Sequence, residues 1–149
     1  MRKDEDMPEK NYDMLKLGNQ LCFPLYACSR EIVKKYRPYL DELGITYTQY
    51  IVMMVLWEHR SMSVKELGEK LYLDSGTLTP VLKSLEAKGY LTRSRSSEDE
   101  RVLIAKLTDS GEALRDPASE IPGKIACCVK LSPEESAELY RLLYRLLDA

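Results

Sequence analysis

SVKELGEKLYLDSGTLTPVLKSLEAKGYLTRSRSSEDERVLIAKL, residues 63–107, decides the fold. Ser63 and Glu66 stand at capping-box spacing, so a short helix opens here and runs to about Leu71. Beyond the tight turn Tyr72-Leu73-Asp74, either Asp74 or Ser75 can cap a second helix that reaches Lys88, where Gly89 supplies a left-handed stop. The period then changes from helix to strand. Tyr90 to Arg95 and Val102 to Leu107 are short strands, and the polar run Ser96 to Arg101 between them is an exposed hairpin tip.

Upstream, Thr46 and Gln49 form another capping box, which opens a helix from about Tyr47 to His59. That helix is apolar almost all round, from Ile51 to Trp57, and should be buried on several sides. Before it, Leu17, Leu21, Leu25, Cys28, Ile32, Tyr36, Leu40 and Leu43 recur every three or four residues. This predicts one long first helix over 17–43, kinked near one or both of Pro24 and Pro38, or starting only slightly upstream of Pro24. A stripe that long usually needs a partner helix to bury it, and the expectation is one from another molecule. Downstream, Thr108 caps a helix from about Asp109, which Pro117 and Pro122-Gly123 break or kink before 124–130. Ser132-Pro133-Glu134-Glu135 opens a final helix from Pro133 to about Leu147, with an apolar stripe at Leu139, Leu142, Leu143, Leu146 and Leu147.

Helix, turn, helix, strand, wing, strand is the order of a winged helix-turn-helix. The fold class is therefore mainly α (α+β), a winged helix-turn-helix lobe over about 47–108, in a single domain of residues 1–149. On the second helix Leu78, Val81, Leu82 and Leu85 share a core-facing side, and Ser75, Thr77, Thr79, Pro80, Lys83 and Ser84 are short or cationic residues able to approach a DNA major groove. By itself that face is equally an ordinary solvated surface. From Ser75 to Arg95, however, Lys83, Lys88, Arg93 and Arg95 oppose only Glu86, a local excess of +3. Arg101 adds a cation at the wing, where a narrow hairpin can carry it into a minor groove. Asp99 opposes phosphate unless it orients an arginine through a bidentate pair; the alternative is a surface ion pair worth about 0.5 kcal/mol.

Composition narrows the alternatives. The 149 residues carry 22 Lys plus Arg against 24 Asp plus Glu, a net charge of −2, which excludes a polybasic protein that binds by total charge. The apolar run Tyr50 to Trp57 is far short of the roughly 20 residues of a spanning helix, and residues 1–17 lack the pattern of a secretory signal. The expectation is a cytoplasmic protein with no membrane contact. Cys22, Cys28, Cys127 and Cys128 lack the Cys-x-x-Cys spacing of a zinc or thioredoxin-like site, so no metal and no cofactor is expected. His59 is the only histidine and reads as a surface residue near a helix end rather than a catalyst.

Three motifs carry a family resemblance: Leu73-Asp74-Ser75-Gly76-Thr77-Leu78-Thr79-Pro80, then Leu85-Glu86-x-x-Gly89-Tyr90-Leu91, then Arg95-Ser96-x-x-Asp99-x-Arg101. Together they resemble the recognition helix and wing of MarR-type repressors. Asn19-Gln20-Leu21-Cys22-Phe23, Ile45-Thr46-Tyr47 and Trp57-Glu58-His59 narrow the resemblance to the organic-hydroperoxide-sensing, thiol-switch (OhrR-like) members. The resemblance implies an obligate homodimer, with dimerisation helices over about 11–45 and 109–149, bound to a double-stranded operator. It also implies that Cys22 is the redox-sensing residue, a role that the residues alone would assign to core packing. Tyr36 and Tyr47 are then the thiolate-stabilising phenols, while Tyr26 and Tyr39 keep a packing reading. The oxidising signal is an organic hydroperoxide, favoured by apolar Phe23, Leu25 and Tyr26. A resolving thiol comes from Cys127 or Cys128 of the other subunit, the resemblance favouring Cys127, or from a low-molecular-weight thiol. Cys28, six residues beyond Cys22, reads as packing.

Three other functions compete. A thiol peroxidase of thioredoxin type needs strands and helices alternating around a sheet, and only one hairpin is legible, so an enzyme is not expected. A MarR-type repressor released by a small aromatic or anionic ligand would leave Cys22 as packing. A protein-interaction bundle would leave the basic wing without a purpose.

Overall fold

The computed structural model describes residues 11–148. They divide into two compact units, one up to Lys34 and the other from Lys35 onward. In the first unit, two 3-10 turns, Asp13–Leu15 and Leu17–Asn19, precede helix α1 (Cys22–Glu42), whose last turns belong to the second unit. The helix thus begins five residues later than the apolar stripe. Gly18 and Asn19 are poor helix formers, and Pro24 is tolerated because it falls in the first turn, where backbone N–H groups have no intrahelical partner. Pro38 lies inside α1. The stripe persists through non-helical turns, so its period alone overstated the helix.

The second unit holds the core. Helix α2 (Tyr47–His59) is capped by Thr46, with Gln49 Oε1 accepting from Thr46 N at 3.1 Å and Gln49 N donating to Thr46 Oγ1 at 3.3 Å. As its composition demands, it is buried on several sides, at Tyr50, Val52, Met53, Val55, Leu56 and Trp57. After it come β1 (Ser61–Ser63), α3 (Val64–Leu71), α4 (Ser75–Ala87), β2 (Leu91–Arg95) and β3 (Leu103–Leu107). The three strands form one antiparallel sheet in the order β1-β3-β2, with Met62 opposite Ala105 and Arg93 opposite Ala105 on the other side. Strand β1 has no readable sequence signal: three residues are too few for an alternation, and its pairing is set by β3, over 40 residues downstream.

Two glycines are required by close approach. A Cβ on buried Gly68 would stand 2.8 Å from the Leu73 carbonyl oxygen, so the turn between α3 and α4 can close tightly only over glycine. A Cβ on Gly111 would overlap the Tyr90 carbonyl oxygen and lie 2.8 Å from Leu107 Cδ1. Gly111 sits in α5 (Asp109–Ala113), whose cap Thr108 accepts from Gly111 N at 3.1 Å and donates to Gly89 O at 2.6 Å. Trp57 Nε1 donates to Gly111 O at 2.9 Å, so one buried indole ties α2 to the base of the wing.

The helix expected from Asp109 is three short ones, α5, α6 (Arg115–Ala118) and α7 (Ile121–Ala126), with Pro117 inside α6 and Pro122 in the first turn of α7. Helix α7 ends at Ala126, and Cys127 and Cys128 lie in the turn beyond it. Ile121 and Ile125 anchor α7 to the core. Helix α8 (Pro133–Leu147) is capped by Ser132 and Glu135, and buries none of its residues. Leu139, Leu142, Leu143, Leu146 and Leu147 are each 36–53% exposed, an apolar stripe with no partner among the described residues.

Candidate functional site

The recognition-type helix α4 is built by a carboxylate cap. Thr77 N donates to Asp74 Oδ1 at 2.8 Å and Thr77 Oγ1 to Asp74 Oδ2 at 3.3 Å. These bonds, the backbone one first, hold the Asp74 carboxyl below the usual range, so it is ionised at the helix's positive end. Leu78, Leu82 and Leu85 are fully buried and fix the inner face. Ser75, Thr77, Pro80 and Lys83 are exposed and Thr79 is half-buried, whereas Ser84, read on the same face, is half-buried and turned inward, its Oγ accepting from Gln49 Nε2 at 2.9 Å.

The cations of this region divide into two groups. Arg93 is drawn into the fold: its Nε and Nη2 donate to Glu86 Oε2 at 3.1 and 2.8 Å, its backbone N donates to Glu86 Oε1 at 2.8 Å, and its side chain is 18% exposed. The Arg93 bonds hold the Glu86 carboxyl below its ordinary value. Lys88 is also engaged, donating to Gly44 O at 2.6 Å and Gln49 Oε1 at 3.1 Å. Both count toward the sequence's local excess, yet both brace α4 against its neighbours. Lys83 and Arg95 are exposed, and the Arg101 side chain is 92% exposed at the tip of the wing. Arg95 Nη1 reaches the Arg101 carbonyl at 3.4 Å.

Asp99 does orient Arg101, though not through a fork. Arg101 N and Nε both donate to the same oxygen, Asp99 Oδ1, at 3.0 and 3.3 Å. Because the two donors share one oxygen, this is not the parallel guanidinium–carboxylate fork, and the terminal nitrogens of Arg101 have no partner among the described residues. A cleft of about 700 Å³ opens beneath this tip, lined by Ser63, Val64, Gly68, Tyr72, Leu78 and Arg101 among others.

The candidate redox residues fall in both units. Cys22 is the first residue of α1 and is exposed, with Phe23 exposed and Leu25 half-buried beside it. Cys28, expected to pack, is exposed. Tyr26, expected to pack, is also exposed and instead accepts from Arg30 Nη1 at 3.0 Å. In the second unit Tyr36 and Tyr47 meet edge to face with ring centroids 4.9 Å apart, and Tyr50 completes a cluster at 6.0 and 6.4 Å from them. Burial pushes all three phenols above their ordinary pKa, so each keeps its proton at neutral pH and is a hydrogen-bond donor. Tyr39 packs half-buried against the core, with Lys124 Nζ 5.4 Å from its ring centre. Cys127 and Cys128 follow α7 as exposed free thiols. The Cys128 thiol donates to the Lys124 carbonyl at 3.7 Å, a back-bond along its own turn. His59 ends α2 exposed, 3.5 Å from Glu58.

Gln49 and Trp57 escaped sequence reading as site-supporting residues. Gln49 had a signal in the capping box, but nothing local marks the reach of its side chain to Ser84 Oγ, at 2.9 Å and 35 residues away.

Comparison with known proteins agrees with this architecture. The transcriptional regulator SarA/Rot family matches residues 33–117. The organic hydroperoxide resistance transcriptional regulator of Bacillus subtilis is 52% identical over 140 residues, covering 94% of this chain and 95% of that protein. Reduced AbfR bound to DNA shares 37% identity with a TM-score of 0.76, covering 91% of this chain and 94% of the other. Disulfide-formed AbfR shares 38% identity with a TM-score of 0.63, covering 90% and 94%. A carboxylate-capped recognition helix, a three-stranded sheet that carries the wing and these similarities together show that the chain belongs to the SarA/Rot family of MarR-type winged-helix transcriptional regulators, in its OhrR-like branch.

Proposed function

We propose that this chain is a redox-sensing transcriptional repressor that binds a pseudo-palindromic operator as a homodimer and leaves it when Cys22 is oxidised by an organic hydroperoxide. The observation that carries the DNA half is the partition of cations: Arg93 and Lys88 are bonded inside the lobe, while Lys83, Arg95 and Arg101 are exposed, as are Ser75, Thr77 and Pro80 of α4. In this reading Arg101 enters the minor groove with Asp99 setting its direction, and Arg93 braces the wing. Two such lobes related by a two-fold axis need half-sites about one helical turn apart. The unpartnered stripe of α8 supports a dimer whose helical region covers about 11–45 and 109–149, with the winged lobe over about 47–108 of one MarR-type domain. No helix among the described residues is long and apolar enough to cross a membrane, and the proposed repressor is cytoplasmic and not an enzyme.

The redox half rests on the Tyr36–Tyr47 pair, two protonated phenols suited to hold a thiolate. The Cys22 thiolate attacks one peroxide oxygen, the O–O bond breaks, and an alcohol leaves, giving a sulfenic acid. A thiol of Cys127, or of Cys128, from the other subunit then displaces water and closes a disulfide; a low-molecular-weight thiol is the competing acceptor. Cys127 is the better candidate because the Cys128 thiol is already donating to Lys124 O. The ligand-released alternative gains nothing from the cleft near Arg101, which lies within the winged lobe.

The test uses a duplex selected by the wild-type protein from a random library. Stoichiometric cumene hydroperoxide should release it from wild type and not from Cys22→Ser, and a non-reducing gel should show a cross-linked dimer that Cys127→Ser loses. A cross-link surviving in Cys22→Ser, or operator retained by fully oxidised wild type, would overturn the reading.

A further inference from the structure

Gln49 makes more bonds than its place in the chain requires. Its capping role needs only Oε1 on Thr46 N, which glutamate at this position also supplies. The side chain is nevertheless 5% exposed, and its Nε2 donates to Ser84 Oγ at 2.9 Å, on the last turn of α4. Oε1 accepts a second bond from Lys88 Nζ at 3.1 Å, and Lys88 also donates to Gly44 O at 2.6 Å. Three groups, Thr46 N, Ser84 Oγ and Lys88 Nζ, from two separate segments are thus joined through one buried amide, and Lys88 adds a second link to Gly44 O.

We propose that Gln49 is a positioning residue for operator recognition, locking the C-terminal end of α4 to the turn that carries Tyr47. The proposal rests on the function argued above. The inner face of α4 is held by Leu78, Leu82 and Leu85, whose apolar contacts attract without fixing direction. Hydrogen bonds at Ser84 and Lys88 are directional and stop the helix from swinging about that apolar line. Ser75 lies nine residues from Ser84, about 13 Å along the axis at 1.5 Å per residue. A swing of about 10° at the Gln49 end therefore moves the DNA-facing tip by about 2 Å, more than the few tenths of an ångström a hydrogen bond tolerates.

The same turn places the two inputs side by side. Tyr47 is the first residue of α2 and Gln49 the third, and Thr46 caps both. Any displacement of Tyr47 moves the Thr46–Gln49 turn, and the Ser84 and Lys88 bonds carry that movement to α4. Two sites that share one hydrogen-bonded turn have a physical route for coupling, which a double-mutant cycle measures.

The variants are Ser84→Ala, Gln49→Met, their double, and Gln49→Glu, whose carboxylate can still cap and accept from Ser84 and Lys88. Each is assayed as the full-length reduced protein on the selected operator and on a scrambled duplex, with Cys22 sulfenic acid formation followed by dimedone capture. Ser84→Ala and Gln49→Met should each weaken operator binding about tenfold, the double no further than Gln49→Met, with scrambled-duplex affinity and the Cys22 oxidation rate unchanged. Gln49→Glu should bind within about twofold of wild type, and the oxidised-to-reduced ratio of operator Kd should shrink in Gln49→Met. Wild-type operator affinity in Ser84→Ala, additive effects in the double, or equal losses on both duplexes would overturn the proposal. Ser84→Ala leaves the capping box intact and so remains informative if Gln49→Met fails to fold. Failure of the functional reading looks different: wild type itself then keeps its operator after peroxide.

Discussion

Replacing Arg101 by alanine isolates the electrostatic part of operator binding. The Arg101 side chain is 92% exposed, and among the described residues its guanidinium bonds only to Asp99 Oδ1, through Nε. Its removal costs the folded lobe little, because an exposed pair of this kind is worth about 0–1 kcal/mol. On DNA the loss is counted in released ions. Each neutralised phosphate contributes about 0.9 to the slope of log K against log salt, and a dimer loses two such contacts, so the slope flattens by about 1.8. Between 50 and 200 mM salt, a change of about 0.6 log units, wild type and variant should converge by about tenfold. Fluorescence anisotropy on the selected operator at four salt concentrations reads this directly. Arg93→Gln is the control: its guanidinium is bonded to Glu86 and 18% exposed, so it should lower Tm and leave the slope unchanged. A slope unaltered in Arg101→Ala, or flattened equally in Arg93→Gln, would refute the division of cations into wing and brace.

Gly111→Ala should destabilise the lobe by about 3 kcal/mol, because the added methyl meets the Tyr90 carbonyl and Leu107 Cδ1 where neither can retreat, and Tm should fall by roughly 6–12 °C in a thermal melt; an unchanged Tm would show that the contact between α5 and the wing base is loose. Alkaline titration reports on the phenol cluster. Tyr36, Tyr47 and Tyr50 have pKa values raised by burial above 10.0, so at a pH above the unfolded value the native state holds more protons than the unfolded chain. Stability is then fully present below about pH 10 and is lost as pH rises through the folded values. Absorbance at the phenolate band should rise later for the wild type than for a urea-unfolded sample, and coincident titrations would sink the claim that burial raises these phenols.

Local chemistry made most of the winged lobe legible. Three capping boxes, at Thr46/Gln49, Ser63/Glu66 and Ser132/Glu135, begin helices where the sequence places them, because each is completed by residues three apart. Gly89, at φ 77°, ends the region of α4 as expected of a residue free of Cβ strain. Features that depend on distant partners were not legible. Strand β1 exists only through β3, Arg93 is removed from the cation count only by a carboxylate seven residues earlier, and Gln49 shows its second role only once α4 lies against α2. The start of α1 fails for a different reason. Hydrophobic period reports which residues share a side, and the stripe from Leu17 to Leu21 keeps that period through 3-10 turns in which Gly18 and Asn19 resist α-helix.

The bonds that hold the lobe together explain how a single thiol could govern an extended interface. Arg93 to Glu86, Lys88 to Gly44, Thr108 to Gly89 and Trp57 to Gly111 tie wing, recognition helix and α2 to one another at separations of 7 to 54 residues. A lobe cross-braced in this way responds to a push at one point by moving as a body, since deforming it would break several of these bonds at about 1 kcal/mol each. In the proposed dimer, DNA affinity depends on two lobes meeting two half-sites together, and a rigid lobe displaced by a few ångströms loses its half-site entirely. The second lobe then binds alone, without the effective concentration its partner supplied, which is a penalty of about 10²–10⁴ in affinity. A looser lobe could bend to keep its contacts after oxidation and would make a weaker switch. Loosening it at Trp57→Phe, which removes the bond to Gly111 O while keeping the ring, should therefore narrow the ratio of operator affinities between reduced and oxidised protein. An undiminished ratio in that variant would mean that release does not depend on the rigidity of the lobe.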